Sequence, residues 1–293
     1  FHALDMVITR WASGVRLSPD EISAAVGGAP EAAAQRRAQA QAASGGGVAV
    51  LPVYGMLTPR AYNASQVSTA MTSTEMLASQ LRALVRDPNV AAIVMDFDTP
   101  GGNAQGVQEL ADVIYSQRGE KPIVGMVNPT AASGGYWAVS QCDEVVVTPS
   151  GWVGSIGAFI SHDDLSAAME KAGIKREFVY SGKNKVEGNP TGPLTDETRA
   201  YLQQLTDASY TSFTRQVARG RNVGVDVVRS AAWGQGRMVL STDALSAGMV
   251  DRIDTFENTL SRLGKPQARR AAMSASVAQA RVDTLRLASQ IDA

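Results

Sequence analysis

Cysteine and histidine are nearly absent from this chain. Its single cysteine, Cys142, excludes an internal disulfide and any multi-cysteine zinc site. The expected role for Cys142 is a small buried residue beside a strand, not a reactive thiol. Only His2 and His162 exist, and no His/Cys/carboxylate spacing matches a known site, so neither a metal nor a cofactor is expected. A surplus of charge is also missing. There are 27 Lys and Arg against 28 Asp and Glu, a net charge of −1, with no basic block. Nothing therefore points to nucleic acid or to an anionic membrane. No apolar run approaches the ~20 residues that span a bilayer. The chain opens at Phe1 and lacks a basic start followed by a hydrophobic core, so no signal peptide is expected. These absences suit a soluble protein of a reducing compartment. At 293 residues it has one or two domains and enough chain for a sizeable core.

What is present falls into three parts. Residues 1–47 read as a helical lead followed by a linker. The lead has a helix start at Ser18-Pro19-Asp20-Glu21, and the linker is rich in Ala, Gln, Arg and Gly, ending in Ser44-Gly45-Gly46-Gly47. Residues 48–262 read as a compact domain. Val48 to Val53, Val90 to Phe97 and Ile123 to Val127 are short apolar runs with the composition of buried strands. Between them, Ser73 to Arg86 carries Met76, Leu77, Leu81, Leu84 and Val85 at helical spacing, and Val107 to Tyr115 is a second helix. Strand and helix in alternation, with continuously apolar strands, predict an α/β domain of parallel strands and crossover helices. Further on, a helix is expected from Asp164 to Ala172, a strand from Lys175 to Tyr180, and an amphipathic helix from about Thr195 to Arg219 with Tyr201, Leu202, Leu205, Phe213 and Val217 on one face. Val225 to Ser230 reads as a short helix, and Ala244 to Asp251 as a helix closed by Gly248 and followed by a strand. Residues 263–293 return to Ala, Ser, Gln and Arg, a helical or disordered tail.

The chemistry concentrates in two glycine-rich turns that follow strands. One is Thr99-Pro100-Gly101-Gly102 and the other is Ala131-Ala132-Ser133-Gly134-Gly135. In open α/β sheets, sites lie beyond the carboxyl ends of strands, where both turns fall. Glycines around Ser133 allow a sharp strand-to-helix turn that exposes a hydroxyl, although a serine there also serves as a plain helix cap. The residues around Ser133 leave both readings open. His162 is the one histidine near enough in the chain to act as a base, but its bland role, opening a helix beside Asp163 and Asp164, is the stronger one. A lysine substitutes for histidine if burial holds it neutral. That requires a pKa lowered by ~3 units, or about 4 kcal/mol of bias against the charge. Lys183 and Lys185 lie in a glycine-flanked polar loop, two residues apart, so periodicity does not choose between them. Backbone amides at Gly102 and Gly134 are the candidate donors to a developing oxyanion.

Five ordered motifs then carry a resemblance: Asp98 to Gly102, Ala131 to Tyr136, Gly154-Ser155-Ile156-Gly157, Ser181 to Lys185, and Ala244 to Asp251. Over Val48 to Asp254 the chain resembles the signal peptide peptidase A family of serine proteases. Within it, the resemblance is to the phage branch of prohead or capsid-maturation proteases called protein C. The resemblance implies a crotonase-like or Clp-protease-like α/β fold and a Ser-Lys dyad. By position, Ser133 matches the nucleophile and Lys185 the general base, while Lys183 falls where the family has no catalytic requirement. The amides of Gly102 and Gly134 match the oxyanion hole, Ser155 matches a serine that supports the lysine, and Asp98 stands where relatives carry Asn or Asp. No metal takes part. Cellular members carry a membrane anchor, which is not found here, and that favours the phage branch.

The resemblance further implies peptide or protein substrates such as scaffold, capsid or portal proteins, a homo-oligomer, and a place in the host cytoplasm or the prohead. The Ala/Gln/Arg tail would be the start of a fused scaffold region. Three other readings compete: a structural scaffold or minor capsid component with the same fold, a cellular signal-peptide-degrading peptidase without its anchor, and a crotonase-type acyl-CoA enzyme. The last needs a grip on nucleotide phosphates, and no basic cluster flanks the glycine turns.

Overall fold

The computed structural model describes residues 47–60 and 71–265. The expected helical lead and linker, and the tail beyond Lys265, lie outside the described residues. In chain order the elements are β1 (Val48–Tyr54), β2 (Met56–Thr58), β3 (Met71–Ser73), α1 (Thr74–Arg86), β4 (Ala92–Thr99), α2 (Ala104–Ser116), β5 (Ile123–Ala132), α3 (Gly134–Val139), β6 (Glu144–Val147) and β7 (Trp152–Gly154). They continue with α4 (Ser166–Lys171), α5 (Asp196–Arg221), α6 (Val225–Val228), a 3-10 turn (Ala231–Trp233), β8 (Met238–Leu240), α7 (Ser241–Ser246), β9 (Arg252–Ile253) and α8 (Phe256–Leu263).

The three apolar runs become the centre of a parallel sheet in the order β1-β4-β5-β6-β9. Ile93 to Phe97 of β4 are completely buried, as a strand covered on both faces requires. One face packs under α1, α2, α3 and α5 through residues such as Leu77, Leu110, Trp137 and Phe213. The other packs Val94, Val124, Met126 and Val146 against Phe256, Leu260 and Leu263 of α8. Each such side chain, moved from water to this interior, contributes about 1.5–3 kcal/mol.

Local signals decide where the helices start. Ser73 accepts a hydrogen bond from the Met76 amide at 3.2 Å and caps α1, and Thr195 accepts from the Thr198 amide at 3.1 Å and caps α5. Helix α2 is irregular at Gln105 and Gly106, so regular turns begin at Val107, as the apolar spacing predicts. The amphipathic faces are only partly right. Met76 is 57% exposed, because the buried stripe of α1 runs through Leu77, Ala78 and Leu81. In α5, Phe213 and Val217 are buried, and Phe213 stacks on Trp137 at 4.6 Å with planes 6° apart. Tyr201 and Leu205, in the first half of α5, are exposed.

One expected element is absent as a strand. Lys175 to Tyr180 are exposed, lie outside any helix or strand and pair with no strand among the described residues. β-branched and aromatic residues favour a strand only where an edge is available to receive them. Cys142 is completely buried, and its thiol is pushed far above the usual range, chiefly by burial and then by the neighbouring Asp143 charge.

Candidate active site

β5 changes partners along its length. Val124 to Val127 pair with β6, whereas Thr130 to Ala132 pair with β7. On its other side Ala131 pairs with Thr99, the last residue of β4. The two glycine-rich turns therefore leave the sheet side by side, at the carboxyl ends of adjacent strands.

The first turn is held from below and from one side. The Thr99 hydroxyl donates to the Gly55 carbonyl at 2.5 Å and accepts from the Gly101 amide at 3.1 Å. Leu57 of β2 donates its N–H to the Gly101 carbonyl at 2.8 Å and accepts from the Asn103 amide at 2.9 Å. Those bonds straddle Gly102, so in this parallel bridge the Gly102 N–H points away from β2. Both glycines are required by space. A Cβ on Gly101, where φ is +101°, would lie 2.7 Å from Ser133 Cβ and 2.8 Å from the Gly134 nitrogen. A Cβ on Gly102 would lie 2.0 Å from the Leu57 carbonyl oxygen.

The second turn carries Ser133 at φ 51° and ψ −122°, a corner conformation normally left to glycine. Its amide donates to the Gly154 carbonyl at 2.8 Å, and its carbonyl accepts from the Trp137 amide at 3.0 Å. Its half-buried side chain makes no capping hydrogen bond to α3, which removes the plain-cap reading. Gly134 opens α3, so its N–H has no partner within the helix. A Cβ on Gly134 would stand 3.5 Å from the Gly102 nitrogen, so the two glycine backbones are direct neighbours beside the serine.

Ser155 follows the residue that binds the Ser133 amide. It too has a positive φ, 53°, and its amide donates to the Arg237 carbonyl at 2.8 Å. Ser133, Gly102, Gly134 and Ser155 are thus brought together.

The lysines lie on a largely exposed arm spanning residues 158–195. Lys183 forms an ion pair with Glu197 at 2.8 Å, with 80% of its side chain exposed. The hydrogen bond and charge of that carboxylate hold the Lys183 ammonium above the usual lysine range. Lys185 is exposed as well, with its amide bonded to the Gly182 carbonyl at 3.0 Å. Within one chain it lacks the burial that a neutral lysine needs. His162 bonds the Gly192 carbonyl at 2.9 Å and ties the two ends of the arm together.

The family model for peptidase family S49 matches residues 116–269, which include the Ser133 turn, Ser155 and the lysine loop. The chain belongs to peptidase family S49. It is 34% identical over 207 residues to the capsid assembly protease C of Escherichia phage lambda, covering 71% of this chain and 46% of that protein. It is 32% identical over 215 residues to the head-tail preconnector protein GP5 of Enterobacteria phage P21, covering 73% of this chain and 42% of that protein. The chain thus spans less than half the length of these S49 relatives. Among solved structures, a mutant of the 1510-N membrane-bound stomatin-specific protease aligns with a TM-score of 0.43 and 15% identity, over 73% of this chain and 82% of that one. Among the described residues, no helix is long and apolar enough to cross a membrane.

Three positioning groups were not evident from sequence: Leu57, whose backbone straps Gly102; Thr99, whose hydroxyl folds the first turn; and Arg237, whose carbonyl holds Ser155. Each acts across long sequence separations. Gly101 was visible only as a turn residue, yet it is the one pressed against Ser133.

Proposed function

We propose that this chain is a serine endopeptidase with a Ser-Lys dyad, built on residues 48–262, that trims scaffold, capsid or portal proteins during phage head maturation. The observation that carries the reading is Ser133. A serine held in a glycine conformation, with its hydroxyl uncommitted to the helix and two glycine amides beside it, has the form of a nucleophile elbow.

In this mechanism neutral Lys185 takes the proton from the Ser133 hydroxyl, and the alkoxide attacks a substrate peptide carbonyl. The Gly102 and Gly134 amides stabilise the tetrahedral oxyanion. Lys185 then protonates the leaving amine, and water resolves the acyl-enzyme. Lys183 is a poor base because Glu197 holds it charged. Ser155 supports the lysine. Because Lys185 is exposed in a single chain, it acquires its dry surroundings when copies assemble, and the working form is a homo-oligomer in the prohead. The two phage relatives, named for capsid assembly and the head-tail preconnector, support the substrate class.

Labelling with a fluorophosphonate followed by peptide mass spectrometry tests this reading. The label is expected on Ser133 and is lost in Ser133→Ala. An unlabelled Ser133, or labelling that survives the substitution, overturns it.

A further inference from the structure

Strand β8 is an edge with an open side. Among the described residues it pairs only with β7, in the register Trp152↔Leu240, Val153↔Val239 and Gly154↔Met238. The ladder bonds fall on alternate residues. Ser155 donates to the Arg237 carbonyl at 2.8 Å, and Ser241 donates to the Gly151 carbonyl at 3.1 Å. In an antiparallel pair this puts the N–H and C=O of Met238, and the N–H of Leu240, on the outer side. Beside that edge lies a cavity of about 720 Å³, walled by the 3-10 turn and by α7. Trp152 and Leu240 present apolar surface to it, each 43% exposed, and Asp243 stands in its wall. A long-lived open edge invites strand addition, and natural proteins normally cover one.

The same chain has a segment of strand-forming composition that pairs with no strand among the described residues. Arg176-Glu177-Phe178-Val179-Tyr180 are exposed on the arm and outside any helix or strand, with Phe178 41%, Val179 102% and Tyr180 51% accessible. As a strand, the segment would place Arg176, Phe178 and Tyr180 on one face. That face offers two aromatic rings to the Trp152 and Leu240 surfaces of the groove and a cation to Asp243, in a lining that also carries Arg237 and Gln235.

We infer that Arg176–Tyr180 of one copy adds as a strand to the open edge of β8 in a second copy, with Phe178 and Tyr180 in the cavity and Arg176 toward Asp243. The inference rests on the assembly of copies proposed above and says how they join. Main-chain hydrogen bonds supply the affinity and the alternate side chains the specificity, as in other strand-addition interfaces. The two surfaces are different, so a reciprocal exchange joins two copies and a head-to-tail one joins a series of them.

Cysteine pairing tests it in the full chain on a Ser133→Ala background, since Cys142 is completely buried and gives no competing thiol. Proteins bearing Phe178→Cys or Val179→Cys are mixed with proteins bearing Met238→Cys or Leu240→Cys and oxidised. A reducible mixed dimer is expected in at least one of the four pairings and in neither partner alone. In parallel, sedimentation of Tyr180→Asp and of Met238→Pro, which removes an outward N–H together with the Met238 side chain, is expected to show assembly weakened at least tenfold with the fold retained by circular dichroism. If the unsubstituted chain assembles but no mixed dimer forms, or if dimers link position 240 to position 240, the strand addition is wrong while assembly stands. If the unsubstituted chain sediments as a monomer at every concentration, both fail.

Discussion

Gly102→Ala adds one methyl group where there is no room, and its effect follows from three distances. The new Cβ would stand 2.0 Å from the Leu57 carbonyl oxygen, 2.6 Å from its nitrogen and 2.7 Å from its carbonyl carbon. Carbon and oxygen ordinarily approach no closer than about 3.3 Å, so β2 must withdraw by roughly 1.3 Å. The colliding atoms are backbone, and no rotamer relieves the clash. Withdrawal breaks the Leu57-to-Gly101 and Asn103-to-Leu57 hydrogen bonds, each worth about 1 kcal/mol. It also loosens Leu57, which is completely buried. The sum is about 3 kcal/mol, or a fall in Tm of roughly 6–12 °C for a domain of this size. If the Gly102 amide is an oxyanion donor, its displacement slows acylation by about 10²–10³. Thermal unfolding and the second-order rate of fluorophosphonate labelling measure the two effects separately. Gly134→Ala is the control. Its Cβ would meet the Val107 Cγ2 methyl at 3.2 Å, a side-chain atom that can yield, and it keeps its amide. It should cost less than about 1 kcal/mol. The reasoning is refuted if Gly102→Ala keeps both its Tm and its labelling rate, or if Gly134→Ala proves the more damaging of the two.

Lys185→Ala should abolish labelling and substrate cleavage, whereas Lys183→Ala should retain most of both and leave thermal stability essentially unchanged, since its ion pair is solvent-exposed; the opposite pattern would move the base to Lys183. Asp251→Asn should cost about 2 kcal/mol, below the range for fully buried pairs, because it leaves the Arg221 charge without its carboxylate at 8% side-chain exposure while Asp251 itself is 40% exposed and the Gly248 carbonyl still accepts from Arg221. Burial alone would raise the Asp251 carboxyl, but the hydrogen bond and charge of Arg221 outweigh it and leave it below the usual range. A lowered carboxylate contributes stability that is present above its unfolded value of about 4 and is lost as pH falls through the folded value. The Tm gap between the two proteins should therefore be constant from about pH 5 to 8 and close below about pH 4; a gap that widens in acid contradicts the assignment. Ser133→Gly should unfold no lower than Ser133→Ala, against the ordinary glycine penalty of about 0.5–1 kcal/mol, because only glycine is at ease at φ 51°; a clear deficit for glycine would show that the turn is unstrained.

The elements legible in the sequence were those whose signal is local. Val48 to Val53, Val90 to Phe97 and Ile123 to Val127 read as buried strands because a strand covered on both faces must be apolar at every position. The helices from Ser73 and from about Thr195 read as helices because their apolar spacing is local, and both residues turn out to cap them. The two glycine turns were correctly placed on one sheet edge because parallel strands all end on the same side. What escaped depends on residues far apart in the chain. Lys175 to Tyr180 has the composition of a strand, but pairing needs an edge that sequence does not display. Met76 and Tyr201 have helical spacing, yet the first lies one step off the buried stripe and the second lies on a half of α5 with little to cover it. Strands β7 and β8 have three residues each, too few for alternation to show, although β7 binds the Ser133 amide. The lysine loop was legible as a loop. The exposure of Lys185 was not, because it depends on which residues far off in the chain pack against the loop.

The strain at the site also argues against a purely structural role for Ser133. A left-handed conformation costs a side-chain-bearing residue about 1–2 kcal/mol, and a glycine would avoid most of it. The chain puts glycine at positions 101, 134 and 135, so glycine is evidently tolerated on every side of this corner. A serine retained for capping would recover its cost through a hydrogen bond to the helix, and Ser133 makes none. The surroundings instead over-determine the corner: the amide is tied to Gly154, the carbonyl to Trp137, and the whole of α3 is buried behind it. Ser155, at φ 53°, repeats the pattern at the end of the neighbouring strand. Two serines forced into positive-φ conformations on adjacent strand ends and held there by backbone bonds are better explained by what the hydroxyls do than by what they hold in place.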